Sequence, residues 1–232
     1  MRFAGRVAVS RSLTPSTHAI EVDKPPEFRF RPTQFTWLQL TTPAGPDARP
    51  MSLATSPTRP RLEYAVRKSD SAFKRAFASL RPGDPVFVAG PIGDFVLDEQ
   101  RPAILVAGGI GITPLKGMAE YAADKGLSLP IRLVYSSRTQ SEIVYGPELA
   151  ALEQQNQQFR ILHTLTREPE GTSWHGGRGR ITIDLLRRAA DGLTRPVYYV
   201  TGTPEMVDAT LNQLSEMELT ADDVQVEEFR GY

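Results

Sequence analysis

Ala103-Ile104-Leu105-Val106-Ala107-Gly108-Gly109-Ile110-Gly111-Ile112-Thr113-Pro114 decides the fold of this chain. Its opening apolar run reads as a strand buried on both faces, the pattern of a parallel sheet. Three glycines then free the backbone for a sharp turn. Thr113-Pro114 predicts a helix start, with Thr113 as N-cap and Pro114 at the first helical position. The residues downstream repeat this strand-to-helix unit. Residues 131–135 precede a helix from Pro147, residues 159–165 one from Ile183, and residues 197–200 one from Pro204, while residues 224–229 close the series. Five strands with crossover helices predict a five-stranded, doubly wound parallel sheet.

Upstream the pattern changes. Short β-rich runs at residues 3–9, 19–22, 35–40, 62–66 and 86–89 are punctuated by Pro, Gly and Asp, as in a small antiparallel β-barrel. Residues 71–80 break the series, because Phe73, Phe77 and Leu80 recur at helical spacing. Asp98-Glu99-Gln100-Arg101-Pro102 is polar and contains a proline, which places the domain boundary there: residues 1–98 and residues 99–232.

Composition bounds the chemistry. The 232 residues include 27 basic and 27 acidic ones, so net charge gives no argument for nucleic acid or an anionic membrane. With no cysteine, disulfides, thiolate-bound zinc and Cys-ligated iron–sulfur clusters are excluded. His18, His163 and His175 lack metal-ligand spacing. There is no Gly-x-Ser-x-Gly elbow and no Walker loop. No run of about 18 apolar residues is present, and Met1-Arg2-Phe3-Ala4-Gly5-Arg6 lacks the apolar core of a secretory signal, so the expectation is a cytoplasmic protein without membrane insertion.

In doubly wound sheets, ligands lie beyond the carboxyl ends of the strands, where the winding reverses. Gly108, Gly109 and Gly111 allow a pyrophosphate to approach the backbone, with the positive end of the following helix behind it. Taken alone, this segment serves equally well as a tight turn with no ligand. The second strand of the series ends in Ser136-Ser137-Arg138 without a carboxylate, and the third in Thr166-Arg167. Arg138, at the second strand, reads either as a partner of a ribose phosphate or as a solvated surface residue, and Arg167 also reads as a solvated surface residue. In Arg49-Pro50-Met51-Ser52 the planar fork of Arg49 suits a pyrophosphate. In isolation the same residues are a basic turn before an edge strand.

Four segments stand in fixed order: Arg49-Pro50-Met51-Ser52, Gly90-Pro91-Ile92-Gly93-Asp94-Phe95, residues 107–114, and Thr201-Gly202-Thr203-Pro204-Glu205-Met206. Closed by Glu227-Glu228-Phe229-Arg230-Gly231-Tyr232, they resemble the ferredoxin–NADP reductase family. The resemblance implies an FAD-binding barrel followed by a domain for NADP(H), with NAD(H) as the alternative. It sets the nucleotide crevice between the first and fourth strands of the second domain, so that Gly108-Gly109 faces Thr201-Gly202. Arg49 would bind the flavin pyrophosphate and Ser52 approach flavin N5. Met51 departs from the family's usual tyrosine. Tyr64, Val66 and Arg67 match the strand beside the ribityl chain and phosphates, and Ser71, Ala72 and Phe73 open the phosphate-facing helix, without the family's usual preceding glycine.

By the same resemblance Thr201 stands where many relatives carry a cysteine near the nicotinamide. Glu227 is the carboxylate at the flavin edge, and Phe229, or Tyr232 beyond it, is the ring stacked on the flavin. Ser136, Arg138, Thr166 and Arg167 would favour the phosphate of NADPH. The implied activity is that of an FAD-dependent NAD(P)H oxidoreductase exchanging electrons with a ferredoxin or flavodoxin. Two rivals stand beside it. One is a free-flavin reductase, whose relatives carry Arg-Pro-Phe-Ser; the other is an electron-transfer subunit of a larger complex, weakened by the absence of cysteine.

Overall fold

A computed structural model of the chain describes residues 1–229. Six strands build the N-terminal half: β1 (Arg2–Thr14), β2 (Thr17–Asp23), β3 (Phe35–Thr42), β4 (Gly45–Ser52), β5 (Arg61–Arg67) and β6 (Pro85–Ile92), with α1 (Ala72–Ser79) between the last two. All pairings are antiparallel, in the order β4-β3-β6-β1-β2-β5. β1 is long enough to serve two neighbours: residues 2–6 pair with β6 and residues 7–14 with β2. The sheet curls until its ends meet. Ala54, just past β4, donates its N–H to the Glu63 carbonyl of β5 at 2.9 Å, and the hydroxyls of Thr36 and Tyr64 share a hydrogen bond of 2.9 Å inside.

The barrel interior is filled by Ile20, Leu38, Leu62, Tyr64 and Val88, onto which α1 lowers Phe73 and Phe77. α1 covers the predicted helix, with Ser71 as its N-cap accepting the Lys74 N–H at 3.4 Å. β4 had no sequence signature as a strand. It holds Gly45, Pro46 and Pro50, which an edge strand tolerates because one of its sides bonds to nothing in the sheet.

The second sheet comprises β7 (Ala103–Gly108), β8 (Ile131–Ser137), β9 (Phe159–Leu165), β10 (Gly177–Arg178), β11 (Val197–Gly202) and β12 (Val224–Glu228). It is parallel throughout, in the order β10-β9-β8-β7-β11-β12. The five expected strands are present, and the two-residue β10, too short to leave a hydrophobic pattern, adds a sixth at the edge. Helices α2 (Ile112–Lys125), α3 (Gly146–Gln155), α4 (Ile183–Ala190) and α5 (Pro204–Leu214) cover both faces. Leu105, Leu133 and Tyr199 pack on one face with α2 and α3; Ile104, Val106, Tyr198 and Val200 pack on the other with α4 and α5.

The start of α2 corrects one expectation. Gly109–Gly111 already winds a 3₁₀ turn, so the α-helix begins at Ile112 with Gly111 as its cap. Thr113 lies inside the first turn, its hydroxyl donating back to the Ile110 carbonyl at 3.1 Å, and Pro114 sits two positions beyond the helix start.

Residues 93–102 connect the sheets. Phe95 meets the Tyr199 ring edge-on at 5.6 Å, and the Asp98 N–H donates to the Tyr199 hydroxyl at 2.7 Å. The backbone after β4 lies against α2: a Cβ on Gly117 would stand 3.0 Å from the Thr55 carbonyl, closer than such contacts normally come. This approach, together with the charge cluster of Arg11, Glu63 and Lys116, fixes the barrel against the parallel sheet.

Candidate functional site

The parallel sheet reverses its winding between β7 and β11, which are adjacent. At their carboxyl ends a Cβ on Gly108 would lie 2.9 Å from Met206 Sδ, and one on Gly202 only 2.4 Å from it. The Met206 thioether occupies the room that two side chains would need. Gly111 is more tightly constrained, because a Cβ there would meet the Thr201 carbonyl oxygen at 2.7 Å. Gly109 takes the left-handed φ of 53° that turns β7 into the helix.

Thr201 binds this turn to β11. Its side chain is fully buried, and the hydroxyl donates to the Gly111 carbonyl at 2.6 Å. Thr201 is not among the residues lining the cavity described next; its hydroxyl holds the glycine turn that forms one wall of it.

A cavity of about 590 Å³ opens from these glycines and reaches the barrel. Gly108, Gly109 and Gly202 form one wall, with Met206 from α5, and Ser136, Arg138 and Thr166 stand at the ends of β8 and β9. Arg67 of β5 and Lys74 of α1 enter from the barrel, Arg180 from the segment after β10, and Phe229 from beyond β12. The Arg167 N–H donates to the Arg138 carbonyl at 2.7 Å, which joins the two arginine-bearing strand ends. The charge is unbalanced. Repulsion from Arg67, with burial and Arg167 adding to it, pulls the Arg138 guanidinium below the ordinary arginine range, and burial with Arg67 does the same to Lys74. Cations that destabilise one another in a cleft are relieved by an anion, so this wall suits phosphate. Two carboxylates, Glu142 and Glu205, also line the cavity against the four cations, while the Glu168 carboxylate accepts the Gln140 N–H at 2.7 Å.

Beside Phe229 the two halves touch through side chains. The Ser52 hydroxyl, at the end of β4, donates to Glu227 Oε1 on β12 at 3.3 Å. Glu227 Oε2 is buried and has no hydrogen-bond partner among the described residues. Burial pushes this carboxyl up to about 7, against the Ser52 hydrogen bond, which favours the charged form. Glu227 stands opposite Thr201 in the β11–β12 register, and the Phe229 N–H continues the ladder to the Gly202 carbonyl at 2.8 Å. Ser52, Glu227 and Phe229 are thereby gathered at one junction, next to the glycine turn.

Other expected residues lie elsewhere. Tyr64 and Val66 alternate inward, so their side chains fill the barrel core and only Arg67 reaches the cavity; Phe73 is likewise in the core. Met51 packs against that core, and Arg49 is engaged by Asp47 at 3.0 Å. Neither Pro50 nor Ser71 nor Ala72 lines the cavity, although Ser71 caps the helix from which Lys74 enters it. Tyr232 lies outside the described residues. Sequence reading missed the convergence of Lys74 and Arg180 on the cleft. The glycine–arginine alternation of Gly177-Arg178-Gly179-Arg180 was the available signal for the latter. Among the described residues no group of His, Cys, Asp and Glu could hold a metal ion, and no helix is long and apolar enough to cross a membrane.

An antiparallel barrel joined to a parallel sheet, with a cation-lined cleft at the winding switch, is the layout of a two-domain nucleotide-dependent oxidoreductase. Residues 105–212 match the oxidoreductase NAD-binding domain family. The chain is 30% identical to ferredoxin–NADP reductase B of Sorangium cellulosum over 228 residues, 94% of this chain and 92% of that one. It belongs to the ferredoxin–NADP reductase family. It is also 26% identical over 235 residues to the reductase component of propane 2-monooxygenase from a Gordonia species, covering 97% of this chain but 66% of that one, so it spans just under two thirds of that relative's length. The fold is shared with a ferredoxin NADP⁺ reductase of Neisseria gonorrhoeae solved with bound FAD and NADP, at a TM-score of 0.82 and 21% identity over 98% of both chains.

Proposed function

We propose that the chain is an FAD-dependent NAD(P)H oxidoreductase that passes single electrons to or from a ferredoxin- or flavodoxin-type carrier. The observation that carries this reading is the junction of Ser52 and Glu227, which sets a hydroxyl of the barrel against a proton-holding carboxyl of the parallel sheet at the mouth of the nucleotide cleft. The residues fit both groups. The buried Oε2 of Glu227, without a partner among the described residues, is a polar atom that a bound group can satisfy, and the cationic wall of the cleft needs phosphates. A bound flavin supplies the exchange between two-electron and one-electron chemistry.

On this reading residues 1–98 hold FAD and residues 99–232 the nicotinamide nucleotide. Arg67, Lys74 and the free amides at the start of α1, capped by Ser71, receive the flavin phosphates. Gly108, Gly109 and Gly202 admit the nucleotide backbone, Thr113 and Pro114 start the helix behind it, and Met206 shapes its wall. Arg138 and Arg167, with Ser136, Thr166 and Arg180 beside them, take the ribose phosphate, which makes NADPH the preferred donor. Phe229 covers the flavin face. Ser52 orients the Glu227 carboxyl, whose pKa near neutrality lets it hold or release a proton at that edge. Protein residues thus align and polarise; they supply no nucleophile.

The ion pair between Arg49 and Asp47 favours a second reading, an NAD(P)H-dependent free-flavin reductase, because Asp47 competes with a pyrophosphate for Arg49. Desalting separates the two. Protein that stays yellow and bleaches with NADPH in the absence of oxygen supports the first reading, whereas colourless protein that turns over only with added flavin replaces it with the second.

A further inference from the structure

The outward face of the barrel formed by β4, β3, β6 and β1 presents large apolar side chains that the described residues leave exposed. Trp37, Phe87 and Ile92 are 43%, 54% and 42% exposed, large values for such side chains on a sheet face. Register explains how they come together. Trp37 pairs with Pro50 on one side and Ala89 on the other, Ala89 pairs with Arg2, and Phe87 stands between Gln39 and Ala4. The small Ala89 lies in a depression of about 140 Å³ among Arg2, Trp37, Gln39 and Phe87.

Two features identify what this face receives. Firstly, it is continuous with the junction described above: Phe35 pairs with Ser52 and with Ile92, and Trp37 is the diagonal neighbour of Ser52, about 7–8 Å across the strands. Secondly, its charge has one sign. The outward positions of these four strands carry Arg2 and Arg6 and no carboxylate. A second copy laid on this face by a two-fold axis would set apolar surface against apolar surface but bring arginines together without acids, which disfavours self-pairing.

We infer that this face docks an acidic electron-carrier protein, with Trp37 and Phe87 as its apolar anchors and Arg2 and Arg6 as its steering charges. Aromatic anchors at the centre of a patch carry most of the affinity of such contacts, and rim charges mainly set the encounter rate and its salt dependence. The inference rests on the carrier-coupled reading of the function. Its particular content is the location of the contact, on the barrel next to Ser52.

The flavin-loaded protein is tested with NADPH and two acceptors, ferricyanide and an acidic [2Fe–2S] ferredoxin read out by cytochrome c reduction. In the Trp37→Ala/Phe87→Ala variant the KM for ferredoxin rises about tenfold, while ferricyanide reduction stays within about twofold of wild type. In Arg2→Gln/Arg6→Gln the ferredoxin rate at low salt falls and its salt dependence flattens. An unchanged ferredoxin KM in the aromatic variant, with wild type active on ferredoxin, overturns the docking face and leaves the proposed function intact. Wild type that reduces ferricyanide but neither this ferredoxin nor a flavodoxin overturns the carrier reading and the face with it. A wild-type dimer at micromolar concentration that the aromatic variant dissolves assigns the face to a second copy and overturns the proposal.

Discussion

Lys116 and Glu63 meet at 2.8 Å across the two halves of the molecule, with both side chains almost wholly buried. Lys116 comes from α2, the helix behind the glycine turn, and Glu63 from β5 of the barrel. Arg11 of β1 extends the cluster by reaching Glu63 at 2.7 Å and Glu148 of α3 at 2.9 Å. Glu120 adds a second carboxylate to Lys116 at 3.0 Å and accepts the Ser56 N–H at 3.0 Å. Burial opposes the Lys116 charge, but Glu63 and Glu120 outweigh it and hold the ammonium above its ordinary pKa. Since Leu53 to Ser56 follow directly on Ser52, the cluster sets where Ser52 stands relative to Glu227.

Lys116→Met should therefore lower stability by about 3–5 kcal/mol, because it leaves Glu63 buried with only part of its compensation. The combined Lys116→Met/Glu63→Gln variant should recover a large share of the loss, since neither charge is then stranded. Urea unfolding of the four proteins in this cycle gives the coupling, and strict additivity would remove the pair from the domain contact.

A second prediction concerns the glycine turn. Thr201→Val keeps the shape of the side chain but removes the donor to the Gly111 carbonyl, which costs about 1–3 kcal/mol. Because that carbonyl lies in the turn, the KM for NAD(P)H should rise several-fold with flavin content unchanged, and Thr201→Ser should restore both. Flavin loss in the valine variant would instead place the effect in the barrel.

Much of this arrangement was legible in the sequence, and the exceptions have physical reasons. Residues 103–108 announce a buried parallel strand by composition, and Gly108, Gly111 and Gly202 mark places where a Cβ has no room. Thr113-Pro114 carries the pattern of a cap followed by a first helical residue, yet the 3₁₀ turn before it had already begun the winding. Tyr64 and Val66 share a strand with Arg67, but strand alternation sends them to the opposite face. The convergence of Lys74, Arg138 and Arg180 depends on how two sheets dock, and no spacing along the chain encodes it. β4 was hidden because prolines and charged residues break the alternation by which a strand is recognised.

The cationic wall of the cleft gives a test of nucleotide choice. Arg138→Ala and Arg180→Ala should each raise the KM for NADPH by about 10-fold or more, the value of one charge-assisted phosphate contact, with little change for NADH. The two should be less than additive if both cations contact one phosphate. Equal effects on NADPH and NADH would move the ribose phosphate away from this wall.

The Glu227 carboxyl sets the pH dependence. Its folded pKa of about 7 lies above the ordinary glutamate value of 4.5, so between these limits the folded protein holds a proton that the unfolded chain releases. The contribution is thus fully present below about pH 4.5 and lost as pH rises through about 7, where a buried charge must form. Glu227→Gln cannot ionise and should gain stability relative to wild type over this window. In stopped-flow reduction by NADPH the rate of the wild type should show an inflection near its pKa, and the glutamine variant should lack it. Ser52→Ala should move the inflection upward, because the lost hydrogen bond favoured the carboxylate, and should slow reduction by roughly 10-fold or more. An inflection that neither substitution moves would belong to another group and would separate Ser52 and Glu227 from the proton-holding edge.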